Sequence, residues 1–142
     1  MRLALEEAAR AAADGEVPVG AVVLLDGEVV ASRHNEEERL GDPTAHAELL
    51  AMRDAASGVG GWRLEGATVV TTLEPCPMCG GGLWSARVAR VVFGVANPKS
   101  GACGSLYNLC ADPRLNHEVE VVAGVLEDEA AALLGDFFSE RR

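Results

Sequence analysis

Two short motifs place the tightest constraint on the fold of this chain, because their side chains suit one shared metal ion but lie far apart in the sequence. The first is His46-Ala47-Glu48, and the second is the segment PCPMC at residues 75–79. Together they supply one histidine and a C-x2-C cysteine pair. A structural zinc site takes four ligands from the protein, whereas a hydrolytic site keeps one position for water. Three ligands without an obvious fourth therefore indicate a catalytic site.

Glu48, which lies between His46 and Cys76 in the sequence, can supply the proton transfer that hydrolysis requires. Zinc lowers the pKa of a bound water toward neutrality, which makes a nucleophile available at physiological pH. Glu48 can take the proton of that water and pass it to a leaving group. The order H-x-E followed by P-C-x-x-C is typical of zinc-dependent nucleobase deaminases. We predict one Zn²⁺ held by His46, Cys76 and Cys79, with water or hydroxide as the fourth ligand and Glu48 as the proton shuttle.

Each motif alone has a simpler interpretation. A C-x-x-C pair can be a redox pair or half of a zinc ribbon. A ribbon needs a second such pair, and the remaining cysteines, Cys103 and Cys110, do not form one. A redox pair has no need of an upstream His-x-Glu. We interpret Cys103 and Cys110 as small buried apolar residues.

Length and composition predict a single globular domain over residues 1–142. The chain is 49% hydrophobic and 24% charged, which suits a packed core. No apolar run approaches the roughly 18 residues of a membrane span, and the N-terminus lacks the layout of a signal peptide. Four cysteines, two of them in a metal-type pair, fit a reducing compartment. We expect a cytoplasmic protein that makes no contact with a membrane.

The charge balance bears on the substrate. Twelve Lys and Arg residues face 22 Asp and Glu residues, for a net charge of -10, whereas phosphate-binding proteins usually carry a basic patch. The run Glu36-Glu37-Glu38 adds negative charge beside Asn35. Four cations are placed where they could lie near a pocket: Arg33, Arg39, Lys99 and Arg114. The residues alone therefore leave open a deaminase of a free base such as guanine, cytosine or a triazine, and a noncatalytic zinc-stabilised interaction module.

Hydrophobic periodicity in the first half predicts a helix, a hairpin and a second helix. Residues 2–14 have helical spacing, with a buried stripe of Leu3, Leu5, Ala8, Ala9 and Ala12. Strands at 20–25 and 28–32 flank the hairpin signal Asp26-Gly27. A charged loop over residues 35–43 then leads to a helix that is capped by Asp42 or Thr44 and ends near Ala56. His46 and Glu48 fall in its first turn.

The second half predicts three strands separated by helices or loops. The strands cover 67–73, 88–95 and 118–122, and Pro77 is suited to the first turn of a helix. Residues 101–110 are predicted to form a loop and short helix. A closing helix over 127–139 would bury Leu133, Leu134, Phe137 and Phe138. The expected fold is an α/β protein, a three-layer α/β/α sandwich with a mixed five-stranded sheet, in which two helix N-termini converge on the metal.

Segments along nearly the whole chain resemble one family, the bacterial tRNA-specific adenosine deaminases of the cytidine-deaminase-like superfamily. The zinc motifs are shared with other base deaminases, whereas the segment at 99–106 and the Asn-His and Phe-Phe pairs favour the tRNA enzymes. The segments that carry the resemblance are VPVGAVV (17–23), HN (34–35), DPTAHAE (42–48), WRLEGAT (62–68), TLEPCPMC (72–79), VVFG (91–94), KSGACGSL (99–106), NH (116–117), GVL (124–126) and FF (137–138).

The resemblance implies a reaction, a substrate and an assembly. By position, Asn35 would hydrogen-bond the purine edge of a flipped base, and the backbone of Ala47 would help to orient it. The family converts adenosine to inosine at the wobble position of a tRNA anticodon loop and works as a homodimer, both sides of which reach the RNA. A single-stranded loop is a reasonable target because its bases are easily splayed out.

One position departs from the family pattern. Members often carry Asp two residues before the lysine that corresponds to Lys99, and here that residue is Asn97. A carboxylate can accept a hydrogen bond from a ribose 2′-OH, whereas an amide carries no charge and can also donate. Because the 2′-OH distinguishes RNA from DNA, we expect Asn97 to contact substrate and to weaken discrimination against deoxyadenosine.

Overall fold

A mixed five-stranded sheet forms the middle of the structure, which is a computed structural model that describes residues 1–141. Its spatial order is β2-β1-β3-β4-β5, with β1 antiparallel to both neighbours and β3, β4 and β5 parallel. The strands are β1 (Gly20–Leu25), β2 (Glu28–His34), β3 (Thr68–Leu73), β4 (Arg90–Val95) and β5 (Glu120–Val122). The predicted mixed sheet is confirmed. Strand β1 has its predicted bounds, and β2 ends two residues later than predicted. Strands β3, β4 and β5 begin one, two and two residues later than predicted.

Helices cover both faces of this sheet. Helices α1 (Arg2–Ala13) and α5 (Glu127–Ser139) pack on one face, and α3 (Ala47–Val59) and α4 (Pro77–Ser85) lie on the other. Side chains of a strand alternate between faces, so Val22 packs with Ala4 of α1 whereas Val23 belongs to the core on the α3 side. The predicted three-layer sandwich is confirmed. No helix among residues 1–141 is both long enough and apolar enough to cross a membrane.

The hairpin between β1 and β2 positions the first site residue. Asp26 and Gly27 both have positive φ, as the predicted two-residue turn requires. Strand β2 continues two residues beyond its predicted end, and His34 pairs with Gly20. Asn35 therefore leaves the sheet directly, and its N–H donates to the carbonyl of Val19 over 3.0 Å.

The buried face of α1 differs from the predicted stripe. Its buried residues are Ala4, Glu7, Ala8 and Ala11, whereas Leu3 and Ala9 are exposed and Leu5 and Ala12 are half-buried. The helix lies so close to β1 that a Cβ on Gly20 would collide with the Ala4 carbonyl oxygen. Small side chains are needed at that approach, so alanines rather than leucines face the sheet.

The segment before α3 also corrects the prediction. Residues 35–43 contain a short helix, α2 (Glu37–Leu40), in place of a continuous loop. The buried carboxylate of Glu16 accepts hydrogen bonds from the N–H groups of Glu38 and Arg39 over 3.0 and 2.8 Å. Neither Asp42 nor Thr44 caps α3: the Asp42 carboxylate accepts from the N–H and hydroxyl of Thr44, and His46 is the N-cap residue.

Two expectations in the last third were wrong and one is confirmed. Residues 101–110 form turns and a single β-bridge between Cys103 and Asn108, without the predicted short helix. Phe137 of α5 is buried, but Phe138 is exposed and Leu133 and Leu134 are only half-buried. Cys103 and Cys110 are buried in the core as free thiols, with their sulfur atoms 3.4 Å apart.

Candidate active site and metal centre

Three predicted ligands meet at one point of the structure. The donor atoms of His46, Cys76 and Cys79 all lie within 4.8 Å of one another. His46 Nδ1 is 3.6 Å from Cys76 Sγ and 3.5 Å from Cys79 Sγ. With Zn–N of about 2.05 Å and Zn–S of about 2.3 Å, a tetrahedral ion separates nitrogen from sulfur by about 3.6 Å. The cluster therefore fits a zinc ion without rearrangement.

Two helix starts deliver these ligands. His46 is the N-cap residue of α3 and Cys76 that of α4, and both have extended backbone conformations. Pro77 begins α4, where its missing N–H costs nothing, and Cys79 follows in the first turn. Neither helix has a side-chain cap at this end. The positive ends of both helix dipoles therefore face the cluster and favour thiolates there.

The three side chains of the cluster shift one another's pKa values. A hydrogen bond from the Cys79 thiol lowers the pKa of Cys76 to about 4. The resulting thiolate raises the pKa of His46 to about 9 and holds the pKa of Cys79 above its ordinary range. Ligands of a metal ion must be deprotonated, and the lowered pKa of Cys76 suits that requirement.

Glu37 was missed by the sequence interpretation as a residue of this site. Its carboxylate lies 3.4 Å from His46 Nε2, on the side of the ring away from the cysteines. Metal-ligating histidines commonly direct the second ring nitrogen to a carboxylate, which fixes the tautomer and leaves the other nitrogen free for the metal. The only signal was the acidic run itself, which gives no indication of which carboxylate turns inward.

The first carboxylate of that run, Glu36, is neutralised by arginines. Glu36 is buried and pairs with Arg33 over 2.9 Å and with Arg39 over 3.4 Å. Arg33 also pairs with Asp54, and Arg114 pairs with Asp112. Within residues 1–141 Lys99 makes no ion pair. Of the four cations singled out in the sequence, Lys99 thus retains its charge for a ligand.

Glu48 lies beside the cluster without belonging to it. It is buried in the first turn of α3, and the metal-binding group contains no carboxylate. Burial raises the pKa of Glu48, while a hydrogen bond with Cys79 acts in the opposite direction. A carboxyl group whose pKa is raised can both accept and return a proton near neutral pH.

A cavity of about 210 Å³ opens in front of His46, Glu48 and Cys76. The three predicted substrate-binding residues, Asn35, Ala47 and Asn97, all line it. Asn35 is only 4% exposed, and its Oδ1 has no hydrogen-bond partner among the described residues. A buried amide oxygen without a partner is costly and indicates a missing ligand or water.

The side chain of Asn97 also makes hydrogen bonds within its own loop. Its Oδ1 accepts from the N–H groups of Lys99 and Ser100 over 3.2 Å, and its Nδ2 donates to Ser100 Oγ over 2.9 Å. The side chain therefore shapes the loop that forms one wall of the cavity.

Comparisons with known proteins identify the family of this chain. Residues 1–95 match the model of the cytidine and deoxycytidylate deaminase zinc-binding region. The tRNA-specific adenosine deaminase of Bacillus subtilis strain 168 is 49% identical over 142 residues, which is the whole of this chain and 88% of that protein. The enzyme of the same name from Haemophilus influenzae is 43% identical, over the whole chain and 83% of the relative.

A solved structure gives the same result for the fold. It comes from a study of A-to-I editing by tRNA:A34 deaminases at the wobble position of transfer RNA. It superposes with a TM-score of 0.91 at 42% identity, over 94% of this chain and 97% of that one. With its zinc-binding region and its full-length relatives, this chain belongs to the tRNA-specific adenosine deaminases of the cytidine and deoxycytidylate deaminase family.

Proposed function

We propose that this protein hydrolyses adenosine to inosine at the wobble position of a tRNA anticodon loop, as a single deaminase domain over residues 1–142. The observation that carries the proposal is the convergence of His46, Cys76 and Cys79 beside Glu48, at the floor of a cavity lined by Asn35. The relatives supply the identity of the base and of the RNA.

Separate residues would bind the metal and transfer protons in this reaction. One zinc ion per chain would be held by His46, Cys76 and Cys79, and when bound it would lower the pKa of a water molecule beside the substrate. Oxygen from water bonds to C6 of adenine, and the bond from C6 to the amino group breaks. Glu48 takes one proton of the water and delivers it to the ring nitrogen beside C6. It then takes the second proton from the new hydroxyl group and delivers it to the departing amino group, which leaves as ammonia while C6 keeps the oxygen as a carbonyl.

The remaining residues orient the base. The unpartnered Oδ1 of Asn35 is an acceptor for a donor on the purine edge. Ala47 is the first residue of α3, and the first N–H groups of a helix have no acceptor within it. The backbone there can donate to the base. We propose a cytoplasmic location, where tRNA is available and the core thiols of Cys103 and Cys110 stay reduced.

The substrate is tested by offering RNA and free bases in parallel. Zinc-loaded protein is incubated with an anticodon stem-loop carrying wobble adenosine and, separately, with adenine, guanine and cytosine. Ammonia and inosine are measured in each reaction. We expect both products from the stem-loop. Ammonia from a free base alone would contradict the proposal and favour the alternative of a free-base deaminase.

We expect Asn97→Asp to sharpen the preference for RNA over DNA. An aspartate can keep both backbone hydrogen bonds and accept from the Ser100 hydroxyl, so the loop should survive the change. The new charge beside the cavity can accept from a 2′-OH, which DNA lacks. One such hydrogen bond corresponds to roughly a fivefold increase in the ratio of RNA turnover to DNA turnover. The measurement compares turnover on matched RNA and DNA hairpins, with Asn108→Asp as a control because Asn108 does not line the cavity. Equal RNA-to-DNA ratios for the natural protein and Asn97→Asp would refute the role of Asn97.

We propose that two copies of the chain associate through a groove between α3 and α4. Its lining is almost wholly apolar, and Trp62 at its edge is 57% exposed. Sedimentation equilibrium should give twice the chain mass of 14.8 kDa. Trp62→Glu should weaken the dimer at least about tenfold, because a charge would be buried at the contact. Val29→Glu, on exposed β2, is the control. A monomer at all concentrations, or a dimer lost with Val29→Glu alone, would contradict this interface.

A further inference from the structure

Glu74 is a buried carboxylate that the reaction does not use. It follows β3 and precedes the cysteine motif, and it is only 2% exposed. Among the described residues it makes no ion pair. A buried charge without a cation is expensive unless hydrogen bonds replace its water. The hydrogen-bond donors to the Glu74 carboxylate should therefore indicate the role of its charge.

Among residues 1–141, all the hydrogen-bond donors to the Glu74 carboxylate come from one loop, residues 97–105. One oxygen accepts from the N–H of Asn97 over 3.0 Å and from the hydroxyl of Ser105. The other accepts from the N–H groups of Cys103 and Ser105 over 3.0 and 3.1 Å. The loop is thus wrapped around a single carboxylate, which takes the place of regular secondary structure there.

Gly101 shows how closely the loop follows this carboxylate. A Cβ on Gly101 would collide with the carboxyl carbon and both oxygens of Glu74. Only a glycine therefore fits at position 101 of the loop. The position of the loop is therefore set against Glu74 on several sides at once, by contact as well as by hydrogen bonds.

The same loop supplies one wall of the substrate cavity. Asn97 and Ser100 line the cavity together with Glu74 itself, and Lys99 lies between Asn97 and Ser100 in the chain. The N–H that anchors Asn97 to Glu74 belongs to the residue whose side chain then holds Lys99 and Ser100. A shift at Glu74 would be passed to all three residues.

We propose that Glu74 is a positioning residue: its negative charge holds the 97–105 loop in the shape that binds the nucleic-acid substrate. The proposal rests on the proposed function for its kinetic consequence but not for its structural one. Glu74 acts through the loop, because both of its carboxylate oxygens are engaged by donors of that loop. Its loss should raise KM for the substrate while kcat changes little.

Glu74→Gln tests the charge at nearly constant volume. A carboxylate offers acceptors on both oxygens, whereas an amide replaces one oxygen by an NH2 donor. That donor would face either the N–H groups of Cys103 and Ser105 or the N–H of Asn97, because Glu74 is surrounded by donors on both sides. At least one backbone N–H would lose its acceptor. Glu28→Gln is the matched control, since Glu28 is exposed in β2 and far from this loop in the sheet order.

Three readouts are taken on zinc-loaded protein: hydrogen exchange, kinetics on the stem-loop and zinc content. Amide hydrogen exchange at Asn97, Cys103 and Ser105 should accelerate at least about tenfold in Glu74→Gln and stay unchanged in Glu28→Gln. For the anticodon stem-loop, KM should rise about tenfold with kcat within about threefold of the natural protein. Zinc content should stay the same. Unchanged exchange would overturn the proposal, whether or not the stem-loop is a substrate. Loss of zinc would also overturn it, because Glu74 would then act on the cysteine ligands instead.

Ser105→Ala provides a second test that does not depend on how Glu74→Gln folds. Ser105 is exposed, and the substitution removes one donor to Glu74 while keeping its backbone N–H. We expect a KM increase smaller than that of Glu74→Gln and in the same direction. A Ser105→Ala effect confined to kcat would contradict the proposal, because a loop that only binds substrate does not change the chemical step selectively.

Discussion

Replacing Glu48 by glutamine should reduce turnover of wobble adenosine between about 10²- and 10⁴-fold, while zinc binding and the fold are retained. Positioned proton transfer contributes about this much to catalysis. The substitution keeps the shape of the side chain but removes its ability to accept the proton of water. Glu48 is buried in α3 beside the ligand cluster and is not part of it.

The structural readouts for this variant separate catalysis from folding. Because burial raises the pKa of Glu48, a neutral side chain is tolerated there and the thermal midpoint should not fall. Glu48→Ala should give the same kinetic loss, and Glu6→Gln is a matched control on the exposed face of α1. A noncatalytic zinc module would lose nothing with either Glu48 variant. Retained turnover, or a loss of zinc from Glu48→Gln, would contradict the assigned proton shuttle.

Replacing Cys76 by serine should remove both the metal and the activity, with a loss of turnover greater than that of Glu48→Gln. Cys76 is the ligand whose thiolate is stabilised in the metal-free cluster, with a pKa of about 4, and a serine hydroxyl does not ionise there. Without the third ligand the remaining His46 and Cys79 cannot hold zinc in a site that leaves a position for water.

Stability should fall together with the metal. A ligand that binds only the folded state stabilises it by about 4 kcal/mol at a thousandfold excess over its Kd. A chelator should therefore lower the thermal midpoint of the natural protein toward that of Cys76→Ser. Cys110→Ala is the control, because Cys110 is a buried thiol outside the cluster. Full zinc content in Cys76→Ser, or loss of zinc from Cys110→Ala, would contradict the assignment of ligands.

The sequence predicted the sheet and the cluster of His46, Cys76 and Cys79 because the signals for both are local. His46 and Glu48 lie within one turn, Cys76 and Cys79 are held in register by the helix that Pro77 begins, and the valine-rich strands alternate between two faces. Patterns of this kind depend on residues a few positions apart, which is the range that periodicity and spacing describe.

The features that were missed depend on contacts between distant segments. Helix α2 forms against Glu16, which lies 22 residues before Glu38. The loop at 97–105 takes its shape from Glu74, which is 23 residues before Asn97. The buried face of α1 is set by the close approach of Gly20, and no property of the helix alone favours Ala4 over Leu3. In each case the deciding partner lies outside the range of a local pattern.

The acidic composition is compatible with an RNA substrate once individual contacts are known. The Glu36 carboxylate forms ion pairs with Arg33 and Arg39, and the Glu37 carboxylate lies beside the His46 ring. Two of three carboxylates in the run next to Asn35 are therefore used within the protein. The net charge of -10 should still weaken the general attraction of phosphates. We therefore expect the cavity and its loop to provide most of the recognition.

The most direct test of the account is the location of inosine in an RNA product. An anticodon stem-loop with adenosine at the wobble position and at one other loop position is incubated with zinc-loaded protein, digested and analysed by mass spectrometry. Conversion of an amino group to a carbonyl adds about 1 Da to the affected nucleotide. We expect this change at the wobble adenosine alone. No change at either adenosine, or a change only at the other one, would contradict the proposed function.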